Sequence, residues 1–323
     1  VTTPAYPIQH VTAGIAKEPL FGAATAPAYF IPVIGPAAAD VHNPVPDLGW
    51  RGPAADSFGH TPGILEGELT LGGNVHADTI GYPLAGILGD ATTAGSGPTT
   101  WTIAVNNTLT EEPSYTVTIS DPINSRRWAG AKFASVALSS TADGALKWTS
   151  KLVSLPSVIA TAPAPAYTAV GILAGWRLAA QIGGAALTSV LSSTVTITRT
   201  VVPKRNTDGT QAPYLIHSGA CSVAGSLQLI LQTDTYRALY VAGTSTSIDL
   251  NYAQGAGAAA TQTRIHCSDV TLTKVAPDYA AGAFQQVKID WKADYNTTDI
   301  GATGGWSPVK VTLKNAVGSG VYV

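Results

Sequence analysis

The chain has 323 residues, only 12% of them Asp, Glu, Lys or Arg, and a formal net charge of −2. That length buries a large core as one or two domains, while a charge content about half that of a typical soluble domain implies a surface covered by other subunits. The weak negative charge argues against a protein that grips nucleic acid by neutralising phosphates, and the apolar stretch from 170 to 191 is too interrupted, by Arg177, Gln181 and glycines, to form a membrane span.

Residues 1 to 57 carry nine prolines and little periodicity, which disfavours helix and central strand alike. Leu20, Phe21, Tyr29, Phe30 and Val33 make the segment too apolar for a solvated tail. It reads as an extended arm lying on a neighbouring subunit, with Phe21, Tyr29 and Phe30 as candidate contacts. Val1 is small enough for an initiator Met to have been removed after cytoplasmic synthesis, and a cleaved leader would leave the same start.

From 58 to 323 the pattern is mainly β. Tyr115, Val117 and Ile119 alternate with threonines, as do Val195, Ile197 and Val201; later alternations run through Leu227 to Leu231, Val287 to Trp291 and Val309 to Leu313. Each spacing predicts a strand with one buried and one polar face. Helical spacing is confined to Ile80, Leu84, Ile87 and Leu88, and to residues 235 to 241, so one or two short helices flank the sheet. Asp208-Gly209 predicts the tip of a long hairpin carrying Lys204 and Arg205. Residues 160 to 168 read as an internal linker, and no fixed-period repeat is visible.

No catalytic constellation emerges, and no cofactor is expected. His76 and Asp78 lack a third ligand at metal spacing. Cys221 has only His217 nearby as a base and reads better as a core thiol; it and Cys267 are expected to be reduced and buried rather than bridged. Glu66 and Glu68 share one strand face, as a solvated polar surface, a negatively charged channel wall or, less favourably, a carboxylate pair for sugar hydrolysis. Arg126-Arg127 and Lys204-Arg205 are basic pairs expected in turns, suited to solubility or to register-setting bridges with Glu111-Glu112 or Glu66/Glu68 of an adjacent copy.

Several segments resemble the tail tube proteins of long-tailed bacteriophages. They are Glu18 with Gly22, residues 47 to 52, Glu66-Gly67-Glu68 ahead of the short helix, the strand from 113 to 119, and Trp128-Ala129-Gly130 entering a hairpin. The resemblance implies a β-barrel or sandwich with one or two short helices and an extended N-terminal arm. It also implies assembly with itself into homohexameric rings stacked as a hollow tube in the virion tail, with double-stranded DNA passing loosely through the lumen. Tape-measure and tail terminator or tip proteins would be further partners, and no membrane is involved. Glu66, Glu68 and Asp78 are the candidate lumen-facing residues; Arg126, Arg127, Lys204 and Arg205 join the aromatic trio as candidate inter-subunit contacts. The alternatives are another virion β protein, such as a capsid decoration protein or adhesin, or a secreted β-fold carbohydrate-active enzyme.

Overall fold

A computed structural model describes residues 5–95, 97–108, 111–279 and 284–322. Residues 1 to 4 of the expected arm lie outside it. In chain order the elements are β1 (Thr12–Lys17), β2 (Tyr29–Ile31), β3 (Ala37–Pro46), β4 (His60–Asn74), α1 (Gly81–Leu88), β5 (Gly89–Ala94), β6 (Thr99–Val105), β7 (Tyr115–Ser120), β8 (Ser125–Thr141), β9 (Lys147–Ser154) and β10 (Val158–Ile159). They continue as β11 (Leu178–Ile182), β12 (Ala185–Leu187), β13 (Val190–Lys204), β14 (Leu215–Ile230), α2 (Thr235–Ala242), β15 (Thr246–Gln254), β16 (Thr261–Asp278), β17 (Gln286–Ala293) and β18 (Lys310–Asn315).

The fold is mainly β, as the alternating sequence requires. In β13, Val195 and Ile197 are buried while Thr194 and Thr198 face solvent, and β9, β14 and β17 obey the same rule. The pairings form an open antiparallel sheet wrapped round one hydrophobic core. Both short helices form where their spacing placed them. Pro83 is tolerated in the first turn of α1, and Gly89, at φ 90°, ends it in the left-handed conformation.

Part of the expected arm belongs to the subunit itself. Thr12–Lys17 pairs along its length with β7, Ala13, Ile15 and Ala16 are buried, and β2 pairs on its other edge. The prolines frame these strands rather than prevent them, since Pro7, Pro19, Pro27 and Pro32 all fall between elements. What projects is the hairpin of β3 and β4. Its tip, residues 47 to 59, presents Trp50 fully exposed.

The expected linker, 160 to 168, has no regular structure, but it does not divide two cores. Beyond it, β13 pairs with β8 and β18 pairs with β6, so both halves share one sheet.

The structure also contains a repeat that the sequence conceals. The first half runs β2–β1–β7–β8–β9–β4–β3 across its sheet, and the second runs β12–β11–β15–β16–β17–β14–β13, in the same order with the same helix position. Even the irregularities correspond. The bulge of β8 between Phe133 and Ser135 answers that of β16 between Leu272 and Lys274, and the step between Tyr115 and Val117 answers that between Thr246 and Ile248. The repeat has no fixed period because β5 and β6 are inserted only in the first half.

Candidate functional site

Of the five resemblance-bearing segments, three meet: Glu18 with Gly22, the strand from 113 to 119, and Trp128-Ala129-Gly130. Glu18 is almost fully buried, and its carboxylate accepts bonds from Gly22 N at 2.9 Å, Ser114 Oγ at 2.7 Å, Thr116 Oγ1 at 2.7 Å and Gly130 N at 2.8 Å. The Glu18/Gly22 lead-in is thereby tied to the Trp128-Ala129-Gly130 entry of β8. Four donors satisfy an anion that burial would otherwise penalise by several kcal/mol.

A second buried charge cluster joins the halves. Arg199 on β13 forms an ion pair with Glu112 and donates to the Ile87 carbonyl at 2.9 Å. Burial pushes the Glu112 carboxyl up, with the Arg199 charge opposing it. Beside them, Lys132 and His217 both hold Glu111, the latter at 2.6 Å. Burial raises the Glu111 carboxyl, but hydrogen bonds from Lys132 and His217 outweigh it and leave the group below its ordinary value. The expectation that Glu111-Glu112 await basic groups of another copy is therefore corrected: both are ion-paired within the chain. Arg199 and Lys132 were missed because each is a lone base in an apolar or threonine-rich strand, which reads as a solvent-facing position.

The same correction applies to Arg205, which pairs with Glu66 of its own chain where the second hairpin tip rests on β4. Lys204 is exposed. Arg126 bonds Ser157 Oγ at 2.7 Å and lies 3.7 Å from Asp40, and Arg127 is half-buried beside β10. Phe21 packs over Gly130, with Lys132 facing its ring. Phe30 is buried against Tyr167 inside the subunit, which corrects its role as an outward contact; Tyr29 stays 39% exposed beside Tyr82.

Of the candidate wall residues, Glu66 and Glu68 do share one face of β4, and Glu68 is exposed with no partner among the described residues. Asp78 lies off the strands, between β4 and α1, where it accepts from Thr168 Oγ1 at 2.8 Å. His76 bonds the Val170 carbonyl at 2.8 Å. Among the described residues no group of three His, Cys, Asp or Glu side chains could hold a metal, and no helix is long and apolar enough to cross a membrane. The Cys221 thiol is free, buried and pushed up to about 11 by burial. Cys267 is likewise free and buried. Two clefts, of about 470 and 400 Å³, are lined by neither Glu66 nor Glu68.

The outward face of the large sheet remains. Across β4, β9, β8, β13, β14, β17 and β16 the ladders align rows of small polar side chains. One row runs Gly72, Thr149, Ala137, Thr196, Ala224, Lys292 and Thr271. Lys147, Lys151, Lys274 and Lys292 stand on this face, exposed and without an ion-pair partner among the described residues.

The family model described as phage tail tube protein matches residues 9–300. The chain belongs to the phage tail tube proteins. No individually curated protein matches it in sequence. As a tail tube subunit it belongs to a family of structural tail proteins, and its place is the virion tail. The match stops before Tyr322, yet that residue is fully buried, edge-on to Tyr82 and tilted against Trp101, and bonded through its hydroxyl to the Asp78 carbonyl. In the tail tube subunit the last turn of chain thus closes the core around α1.

Proposed function

We propose that this subunit builds closed rings of six tube-fold units that stack into a hollow tail tube, and that viral double-stranded DNA leaves through the lumen. The observation that carries the reading is the continuous sheet face from β4 to β16, together with the family. When such a sheet closes into a ring, the bulkier layer belongs on the outside, where the circumference is larger. Here α1 and the aromatic core lie against one face, Gly86 touching Phe133 and Tyr115, so the other face turns inward.

On this reading Glu68 lines the wall, Glu66 sits at its rim tied to Arg205, and Asp78 lies behind it. The wall is not uniformly acidic: Lys147, Lys151, Lys274 and Lys292 punctuate Ser, Thr and Ala, with Asp290 and Glu68 between them. Small side chains leave clearance, and charges of mixed sign avoid the continuous basic track that would hold phosphates. Synthesis in the host cytoplasm and contact with tape-measure and terminator or tip proteins at the tube ends fit the same role.

Negative-stain electron microscopy of the purified chain across a concentration series tests the proposal. Hollow tubes or stacked rings are expected. A particle that stays monomeric at every concentration would overturn it and favour a decoration protein.

A further inference from the structure

The internal repeat determines how the subunit meets its neighbour. Within one chain the halves are joined because β13, the first strand of the second hairpin, adds to the free edge of β8, with Ser135 opposite Thr198, Ala137 opposite Thr196 and Ser139 opposite Thr194. The repeat assigns each partner a counterpart. β8 corresponds to β16, with Ser135 matched by Lys274, Ala137 by Ala276 and Ser139 by Asp278, because both strands carry the same bulge against β9 and β17. β13 corresponds to β3, with Thr194 matched by Ala37, Thr196 by Ala39 and Thr198 by Val41, because the strands opposite them meet β9 and β17 in equivalent register.

Both counterparts have bare edges. β3 pairs only with β4, and the 271–277 part of β16 pairs only with β17 among the described residues. An unpaired strand edge is a template for another chain.

We propose that β16 of one subunit takes β3 of the next in the register of the internal junction, and that the ring of six tube units is consequently made by three chains. The inference rests on the tube reading above, which supplies the six units. It replaces the homohexamer expected from sequence: each chain carries two units, so six chains would supply twelve.

Three further observations agree. In the inferred register, Ala38 and Asp40 share a face with Val275 and Pro277, and Ala38 and Val275 both pack on the core in the isolated subunit. All eight residues of α1 are buried, with Arg199 of β13 on the Ile87 carbonyl and Tyr322 against Gly81 adding to the packing from α1's own half, whereas none of α2 is buried, and Val241 is 75% exposed. The neighbour's first half would cover the exposed face of α2. Lastly, the second hairpin tip rests on the first half, through Leu65 N to the Gln211 carbonyl at 3.0 Å and the Arg205–Glu66 pair, while the first tip, with Trp50, has no such seat among the described residues. Its counterpart seat is on β14 of the adjoining chain. Two positions depart from the internal junction: Pro277 brings no N–H to the position that Leu138 occupies there, and Asp40, bonded to Trp128 and Ser157, stands where Ile197 does.

The test is a cysteine pair in the full chain, Ala39→Cys with Ala276→Cys. Both native residues are small and lie on strand edges that the fold leaves open. Directly opposed residues in an antiparallel pair lie about 4.5–5.5 Å apart at Cα, within disulfide range. Under oxidising conditions a covalent species of three chains, three times the 33.0 kDa of one, is expected as the largest closed product. Native mass spectrometry of wild-type rings should give the same multiple. The pair Ala38→Cys with Ala276→Cys, whose side chains point to opposite faces, should not link. Tubes that form without the 39–276 link, or closed covalent rings of six chains, would overturn the inference and leave the tube reading standing. A protein that neither links nor assembles would overturn both.

Discussion

Glu18 and Gly130 are joined by a 2.8 Å hydrogen bond from the Gly130 N–H to the buried Glu18 carboxylate. The bond connects the end of β1 to the point where β8 crosses from β7 to β9. Gly130 sits there at φ 63°, with Phe21 and Leu155 filling the space a side chain would need.

Every atom facing Glu18 in these bonds is a donor, which makes an amide a poor substitute. Glu18→Gln should turn one accepting oxygen into a donor pointed at donors, costing about 1–3 kcal/mol. Glu18→Ala should cost more, because four donors lose their acceptor together. Urea unfolding at concentrations below assembly measures both. A Gln variant as stable as the parent would mean that the carboxylate is not the organising group.

The Glu112–Arg199 pair fastens β13 of the second half beneath the turn that follows α1. Removing the cation strands a buried anion, so Arg199→Met should destabilise by about 3–5 kcal/mol. Adding Glu112→Gln should recover a large part of that loss, since neither buried position then carries a charge. A double-mutant cycle by chemical denaturation reads the coupling. Simple additivity of the two substitutions would show that the pair does not act as a unit.

What could be read in the sequence was whatever depends on near neighbours. Alternation along Val195 and Ile197 predicted β13, the spacing of Ile80, Leu84 and Ile87 predicted α1, and Asp208-Gly209 predicted the hairpin tip. Pairing between distant strands left no such trace. The correspondence of Trp128 with Cys267, or of Thr70 with Ser226, is carried by ladder position rather than residue identity, so the repeat stayed hidden. The arm was overextended because prolines between β1 and β2 look, in one dimension, like prolines within an unpaired segment. Arg199 and Lys132 were invisible as buried charges because their partners lie far away in sequence.

Asp299 gives the fold an acid-sensitive joint. It is fully buried and accepts from His266 Nδ1 at 2.7 Å, Ser268 N at 2.5 Å and Asn296 Nδ2 at 3.0 Å. Burial alone would raise its carboxyl, but the bonds from His266, Ser268 and Asn296 prevail and hold it below the ordinary value. A carboxyl depressed in the folded state contributes stability that is present above the unfolded-state pKa of about 4 and is lost as pH falls through the folded value. The urea midpoint should therefore drop on acidification below about pH 4, and Asp299→Asn should flatten that limb while costing about 1–3 kcal/mol near neutrality. An unchanged acid limb in the Asn variant would place the sensitivity elsewhere.

The inward assignment of the sheet face is open to a charge test. Lys151 and Lys292 lie on opposite sides of the β8, β13 and β14 floor, where neither helps hold the subunit together through an ion pair among the described residues. Reversing both, as Lys151→Glu with Lys292→Glu, should leave folding and assembly intact. If these side chains face DNA, the change removes attraction for phosphate, so ejection from virions carrying it should speed up by roughly a few-fold at low salt and lose part of its salt dependence. Glu68→Lys should act in the opposite sense, because it adds a cation to the same wall. Ejection followed by dye binding to released DNA at several salt concentrations reads both variants. Identical kinetics in all three virions would turn this face away from the lumen and make it the outer surface of the tube.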